Sequence, residues 1–140
     1  PLGLEVDLNL FHPQNDSTIY NSAQNVPNNS NFQIGGHGNQ TTIVDQNGRS
    51  LSPSALLSKA KENDYKQGEP IELLSCNTGK GESNYAQQLA DECNCEVYAP
   101  DDFVWYYPSG NTVVAPYENA QPSQSPAPDL NNQGSMNVFK

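Results

Sequence analysis

The sequence predicts an α/β fold built on a small, mostly parallel sheet flanked by helices. Three observations support this class. Through the middle of the chain, short apolar strand patterns alternate with helical patterns, the order typical of crossovers between parallel strands. The 140 residues fit one domain. With 34% hydrophobic residues, the chain can bury a real but modest core.

The amino-terminal elements follow from alternation and turn residues. VDLNLF, residues 6–11, alternates apolar and polar positions and predicts a half-buried strand. Residues 12–30 are polar and rich in turn formers, which predicts a long loop. Two short strands are expected over residues 32–35 and 41–45, and Gln46-Asn47-Gly48 after the second is a strong hairpin signal.

Helix caps and apolar stretches place the remaining elements. Ser52 can cap a helix because Pro53 follows at its first position, and Ser83 can cap another. In order, we predict a helix over 53–65, a strand over 71–75, a helix from Ser83 through residue 90, a strand over 96–99, and a hairpin of strands 103–107 and 112–115.

The apolar pattern divides the chain into three parts. Residues 1–31 form an amino-terminal junction strand and loop, and residues 32–116 form the catalytic core of the predicted domain. Residues 117–140 are rich in Pro, Gln, Asn and Ser and predict a polar, flexible or loosely draped tail. Residues 136–139 could still dock onto the core.

Charge excludes several classes of function. Six basic against sixteen acidic residues give a formal net charge of −10, and no cluster of Lys and Arg is available to neutralise phosphates. We therefore expect no nucleic-acid partner and no binding to an anionic membrane, whereas a basic partner would be attracted. There is no apolar run of the roughly 20 residues that span a bilayer, and no signal-peptide pattern. A chain that begins at Pro1 is expected to be part of a longer protein.

The three cysteines predict free thiols. An odd count without a secretion signal favours a reducing compartment. Cys93 and Cys95 look too close in sequence to bridge comfortably, and pairing of either with Cys76 is disfavoured. With His37 the three would make a Cys3His zinc set, but structural zinc sites prefer C-x2-C spacing. We therefore expect no metal and no cofactor, and interpret Cys93 and Cys95 as packing residues.

Two chemistry-bearing residues follow predicted strands. His37 follows the strand over 32–35 and Cys76 follows the strand over 71–75, so a right-handed crossover would place both on one rim of the sheet. A histidine there can act as base and then acid for a cysteine nucleophile. The N–H groups of Gly38 and Cys76 could form an oxyanion hole. The alternative is a turn histidine and a buried cysteine. The other histidine, His12, is interpreted as structural.

Asp101, Asp102 and Trp105 follow the strand over 96–99 and are expected on the same rim. They could bind substrate, the aromatic as a groove wall and the acids as partners for a basic side chain. The alternative is hairpin packing with solvated acids. No third catalytic residue is identifiable, although Asp45, Asp101 and Asp102 are candidates to orient His37.

The two strand-end motifs resemble those of the caspase-like (clan CD) cysteine peptidases. They read QIGGHG at residues 33–38 and IELLSC at residues 71–76. The resemblance implies a caspase-like fold and a peptide-cleaving dyad of His37 and Cys76. It also implies that Gly38 contributes to the oxyanion hole.

The amino end resembles the junction of bacterial Rhs polymorphic toxins, where a conserved shell passes into a variable toxin. PLGLEVDLNLF, residues 1–11, carries this resemblance, and residues 73–110 are similar to toxin tips of that kind. The resemblance implies a toxin delivered in interbacterial competition, with type VI secretion as a route and the Rhs shell as vehicle. It also implies a protein substrate in the cytoplasm of the target cell and a cognate immunity protein.

Together the residues and the resemblances predict a cysteine endopeptidase toxin domain. Two alternatives remain open. The same dyad could serve a thiol-dependent deamidase or transglutaminase-like toxin, or the domain could be a binding module in which His37 and Cys76 are inert.

Overall fold

A computed structural model describes residues 3–118 and 126–140 of the chain. Its strands are β1 (Leu8–Asn9), β2 (Phe32–Gly35), β3 (Ile43–Val44), β4 (Ser50–Leu51), β5 (Ile71–Leu74), β6 (Val97–Pro100), β7 (Val104–Tyr106), β8 (Thr112–Val114) and β9 (Met136–Phe139). Its helices are α1 (Ser17–Ala23), α2 (Pro53–Glu62) and α3 (Tyr85–Cys93).

The central feature is a five-stranded sheet in the order β1-β2-β5-β6-β9. The first four strands run parallel, and β9 pairs antiparallel with β6 at the edge. In the β2–β5 pair, Phe32 lies beside Ile71 and Gly35 beside Leu74. The predicted α/β class, with a mostly parallel sheet flanked by helices, is confirmed.

Helices α2 and α3 cover one face of the sheet because their apolar positions recur at helical spacing. Leu56 on α2 and Leu89 on α3 are fully buried, and both join one core cluster with Ile34, Ile71 and Leu73 of the sheet. The predicted N-cap of α2 is confirmed. The side chain of Ser52 accepts from the Ala55 N–H as expected.

The cap of α3 is Asn84, and the prediction of Ser83 as its cap is wrong by one residue. The Asn84 side chain accepts a hydrogen bond from the Gln87 N–H. Asparagine and serine are both good N-caps, so the sequence offered two adjacent choices. The helix then starts one residue later than the serine would have set it.

The opposite face is covered by α1 and by the predicted β7–β8 hairpin, which is confirmed. A second core cluster lies there, and it contains Val6, Phe11, Ala23, Val26 and Leu74, with Tyr106 packed against it. The hairpin turn meets the segment after α1 so closely that a Cβ on Gly110 would overlap the Asn25 carbonyl. Only glycine fits at this point of contact, and its φ of +92° also favours glycine.

Helix α1 corrects the prediction of a loop over residues 12–30. The helix has only seven residues, so its apolar positions Ile19, Tyr20 and Ala23 are too few to show a helical period in the sequence. Ser22 and Ala23 are nevertheless buried, so tertiary packing against the sheet stabilises it. Short helices depend on such packing, since an isolated segment of this length would not hold in water.

The carboxyl-terminal segment is only in part the polar tail that composition predicts. Met136–Phe139 forms β9, so the expected docking of these residues is confirmed. Asp101 helps to position the strand, since its Oδ1 accepts a hydrogen bond from the Ser135 N–H at 2.9 Å. The predicted flexibility of residues 119–125 lies outside the described part of the chain.

Cys93 and Cys95 form a disulfide, so the prediction that they are too close to bridge is wrong. The intervening Asn94 adopts the left-handed conformation, with φ 51° and ψ 45°. This reversal brings the two Cα atoms to 5.2 Å, within the range a disulfide needs. The disulfide also contradicts the expectation that all three cysteines are free thiols, and it removes the support that this expectation lent to a reducing compartment.

Within residues 3–118 and 126–140, none of the helices combines the length and apolarity needed to cross a membrane.

Candidate functional site

His37 lies two residues beyond the carboxyl end of β2. Its Nε2 is 3.0 Å from Oδ2 of Asp16, just before α1. The ring also packs edge-on against buried Phe11, with the ring centroids 4.9 Å apart. About half of the side chain, 53%, remains exposed, so a substrate can reach the imidazole.

Cys76 lies two residues beyond the carboxyl end of β5 and is a free thiol. Its Sγ accepts a hydrogen bond from the Val104 N–H at 3.3 Å. Burial raises the pKa of the thiol, the Val104 amide opposes that shift by favouring the thiolate, and the negative charge of Asp102 adds to it. The raised pKa keeps Cys76 protonated at neutral pH in the free protein.

The strand register brings His37 and Cys76 to the same rim of the sheet. Gly35 pairs with Leu74, so each residue lies two positions beyond that pair. Neighbouring strands are about 4.8 Å apart. Both side chains belong to the face covered by α1 and the hairpin, as the contacts of His37 with Phe11 and of Cys76 with Val104 indicate. The structure thus brings the two predicted residues together at one strand-end rim.

The two side chains are not joined to each other in the free protein. Across the described residues, no hydrogen bond connects His37 and Cys76, because His37 is bonded to Asp16 and Cys76 to Val104. Phe11 and Tyr106 pack edge to face beneath them with centroids 5.4 Å apart. Catalytic hydrogen bonds often tighten only when substrate is bound.

The backbone of Gly38 turns its N–H toward the β5 side of the rim. Residues of a strand alternate in the direction of their N–H and C=O groups. The Gly35 carbonyl accepts from the Leu10 N–H and the His37 carbonyl from the Val44 N–H, both on the side of β1 and β3. Gly38, one residue on, faces the other way.

The Cys76 amide lies in a turn and does not continue the alternation of β5. Strand β5 ends at Leu74, and residues 75–79 form a bend and a turn in which Asn77 has φ 60°. The Asn77 N–H donates to the Asp102 carbonyl, and the Cys76 amide lies near its own Sγ, where it lowers the pKa of the thiol. An oxyanion hole formed by the Gly38 and Cys76 amides therefore stays a prediction.

Gly38 also lies too close to its neighbours for a side chain. A Cβ there would be 3.1 Å from the Thr78 methyl, 3.2 Å from the Ser75 Cβ and 3.3 Å from Ile43. The glycine is thus required by packing as well as by any role of its amide. Ser75 adds a polar atom at the same place, since its buried Oγ has no hydrogen-bond partner in the described structure.

Asp101, Asp102 and Trp105 each have a structural role near the rim. Asp101 holds the entry to β9, as described above, and Asp102 accepts from the Phe103 N–H at 2.9 Å. The Trp105 Nε1–H donates to the Ala115 carbonyl at 2.8 Å, which ties it into the hairpin. Only Asp102 acts on the cysteine, through its charge. A role of these residues in substrate binding stays a prediction.

The carboxylate beside His37 is Asp16, and none of the three predicted candidates bonds to it. Asp45 accepts instead from the Asn47 and Arg49 amides of its own turn, and these bonds lower its pKa. Asp16 was missed because it lies in the segment interpreted as loop. Its position before Ser-Thr, a common start of a helix, was the signal that could have found it.

His12 has the structural role expected of it. Its Nδ1 accepts hydrogen bonds from the Gln14 and Asn15 amides at 3.1 and 3.0 Å. The zinc alternative loses two of its ligands, because the sulfurs of Cys93 and Cys95 are bonded to each other. Among the residues that the structure describes, no group of three His, Cys, Asp or Glu is placed to hold a metal ion.

A family model described as a domain of unknown function, DUF8616, matches residues 6–114. The chain belongs to the DUF8616 family. The match includes β1, both strand-end motifs and the β7–β8 hairpin, so the whole rim lies inside the DUF8616 domain. Strand β9 lies beyond it.

One curated relative is an uncharacterized protein of Escherichia coli (strain K12), YibJ. It is 38% identical to the DUF8616 chain over 87 residues, which cover 61% of this chain and 36% of that protein. The aligned region therefore spans about a third of the relative. No solved structure matches the chain.

Proposed function

We propose that this DUF8616 domain is a cysteine endopeptidase in which Cys76 is the nucleophile and His37 the base. The observation that carries the proposal is the β2–β5 register, which supports a shared rim for the two residues. The free Sγ of Cys76 and the exposed imidazole of His37 also support it, since acyl transfer needs a nucleophile and a base.

The reaction uses groups of this chain alone. The His37 imidazole takes the Sγ proton of Cys76, and the thiolate attacks the substrate carbonyl to form a C–S bond. The Gly38 and Cys76 amides donate to the oxyanion. Collapse of the intermediate breaks the C–N bond, and the imidazolium gives its proton to the leaving amine. Water, deprotonated by His37, then hydrolyses the thioester and releases the acid and the thiol.

The protonation state of Cys76 in the free protein determines when its proton is transferred to His37. Because burial raises the pKa of Cys76, the dyad does not rest as an ion pair at neutral pH. The proton transfer instead accompanies attack on bound substrate, as in general-base catalysis. Removal of the Sγ–Val104 hydrogen bond is part of the same step, since the sulfur must turn toward the carbonyl.

We propose that the domain acts as a delivered toxin on a protein in the cytoplasm of a target cell. The Rhs-like junction at residues 1–11 supports delivery by an Rhs shell. A cognate immunity protein would then protect the producing cell. The net charge of −10 supports a protein partner and disfavours nucleic acid and anionic membranes.

The test compares new protein N-termini in target cells that express the wild type, Cys76→Ala, His37→Ala or Asp45→Asn. Asp45→Asn is the control, because Asp45 accepts hydrogen bonds from the Asn47 and Arg49 amides of its own turn and Asn keeps that Oδ1 acceptor. We expect new N-termini with the wild type and Asp45→Asn and none with the other two variants. Equal cleavage by Cys76→Ala would refute the proposal.

The same samples separate the alternatives. A mass change of about one dalton, or crosslinked products, in place of new N-termini would indicate a deamidase or transglutaminase and overturn the peptidase assignment. An absence of any covalent change in the target-cell proteins would indicate a binding module and overturn catalysis altogether.

A further inference from the structure

We propose that Asp16 is a positioning residue for His37 that keeps the imidazole proton on Nε2. This inference rests on the proposed function and adds to it the third residue that the sequence does not reveal. With the proton on Nε2, the lone pair lies on Nδ1, which becomes the atom that accepts the Cys76 proton.

The assignment of the proton follows from the chemistry of the contact. Nε2 of His37 lies 3.0 Å from Oδ2 of Asp16. A carboxylate oxygen accepts hydrogen bonds and cannot donate them, so the ring nitrogen facing it must be the donor. In a neutral imidazole the other nitrogen is then an acceptor. Among the described contacts, Nδ1 of His37 has no hydrogen bond that would compete for it.

The Asp16 side chain does not cap the helix that it precedes. Asp16 occupies the N-cap position of α1, where an aspartate side chain ordinarily accepts from an amide of the first turn. Here the side chain makes no such bond. The carboxylate is directed to His37 instead, so the helix forgoes a cap that its residue type could supply.

The backbone of Asp16 is fixed from both sides, which gives the carboxylate a defined position. Its N–H donates to the His12 carbonyl at 3.0 Å, and its carbonyl accepts from the Tyr20 N–H at 2.8 Å. The turn before it is closed by the His12 side chain through its two amide contacts. The His37 ring is thus held by Asp16 at one edge and by the buried ring of Phe11.

The His37–Asp16 contact is too exposed to contribute much to the stability of the fold. The side chains of His37 and Asp16 are 53% and 40% exposed, and ion pairs in such surroundings contribute little to folding. Replacement of Asp16 should therefore leave the fold intact, and an effect on His37 can be read without an effect on folding.

The first experiment measures the tautomer of His37 by ¹⁵N NMR of its ring nitrogens at a pH where the ring is neutral. The variants are Asp16→Ala, Asp16→Asn and Asp45→Asn. Asp45 is the matched control. It follows Val44, whose N–H donates to the His37 carbonyl, and it has no hydrogen bond to His37 among the described contacts. Asn at this position keeps the Oδ1 that accepts from the Asn47 and Arg49 amides. His12 serves as an internal reference in every spectrum.

We expect the wild type and Asp45→Asn to show His37 protonated on Nε2. Asp16→Ala should shift the ring toward a mixture of the two tautomers, and thermal unfolding should be almost unchanged. An Nε2–H fraction in Asp16→Ala as high as that of the wild type would overturn the proposal.

The second experiment measures turnover of a cleaved protein identified by the N-terminus comparison. Asp16→Ala and Asp16→Asn should lower kcat by at least about tenfold, because the base is then presented in the wrong form for part of the time. Unchanged kcat would overturn the proposal. The NMR measurement needs no substrate, so a shifted tautomer with no protease activity would refute the peptidase and leave the Asp16–His37 assignment standing.

Discussion

The two cysteine regions of this domain lie at opposite ends of the sheet and differ in almost every respect. Cys76 follows the carboxyl end of β5, whereas Cys95 precedes the amino end of β6, its parallel neighbour. Cys76 is a free thiol whose Sγ is held by a backbone amide. Cys93 and Cys95 are bonded to each other and belong to the main core cluster.

The difference shows that backbone geometry decides the chemistry of a cysteine here. A left-handed Asn94 closes the C-x-C segment into a disulfide, which removes both sulfurs from reaction. The turn after β5 leaves Cys76 as a free thiol, with its Sγ beside the Val104 amide. Neither outcome follows from the identity of the residues.

The largest effect is expected in thiol labelling. Without reductant, iodoacetamide should modify the native protein once, at Cys76, and Cys76→Ala should abolish labelling, because disulfide sulfurs do not react with alkylators. Peptide mapping by mass spectrometry locates the adduct. Labelling of Cys93 or Cys95 in the unreduced native protein would contradict the disulfide between them.

A second prediction concerns packing at the rim. Gly38→Ala should lower the free energy of unfolding by about 2–3 kcal/mol, because its Cβ would press on neighbours at 3.1 to 3.3 Å. Urea denaturation measures the loss. The control is Gly48→Ala in the exposed turn, where nothing lies within 4 Å and φ is +78°; strain alone should cost about 1 kcal/mol there. A smaller loss at Gly38 than at Gly48 would contradict the packed rim.

A third prediction concerns the disulfide. Reduction of the Cys93–Cys95 bond should lower the free energy of unfolding by about 1.5 kcal/mol, the modest value for a very short loop. Denaturation of the wild type with and without a phosphine reductant isolates the cross-link without a substitution. The Cys93→Ala/Cys95→Ala variant should then show no response to reductant, and a response would point to another cause.

The smallest effect is the pH dependence of Cys76. Because burial raises its pKa in the folded state, the folded protein binds the thiol proton more tightly than the unfolded chain. The resulting stability is present below the unfolded thiol pKa of about 8.5 and is lost as pH rises through the folded value. Stability should therefore fall between about pH 8.5 and 10, before tyrosine titration contributes.

The control for this prediction is Cys76→Ala, which should lack that part of the decline. Urea midpoints at closely spaced pH values measure it. The alkylation rate of the wild type should also keep rising above pH 8.5, as more thiolate forms. A labelling rate that levels off near neutral pH would show instead that the free protein stabilises the thiolate.

Much of the fold could be predicted from the sequence because the signals are local. The Ser52-Pro53 cap, the Asn47-Gly48 turn and the apolar stretch IELL each determine their own element through the backbone conformations they favour. A right-handed crossover between β2 and β5 predicts that the two strands are parallel, and the shared rim of His37 and Cys76 follows from that direction. That β2 and β5 are direct neighbours is shown only by the structure.

Tertiary structure decided the features that depend on distant contacts or on one unusual backbone angle. Helix α1 exists because the sheet buries Ser22 and Ala23, and this is why Asp16 could not be matched to His37 from the sequence. The disulfide depends on a left-handed Asn94, which residue type permits but does not require. Local sequence patterns specify the parallel sheet and the two strand-end motifs, whereas packing across the sheet selects the groups that surround them.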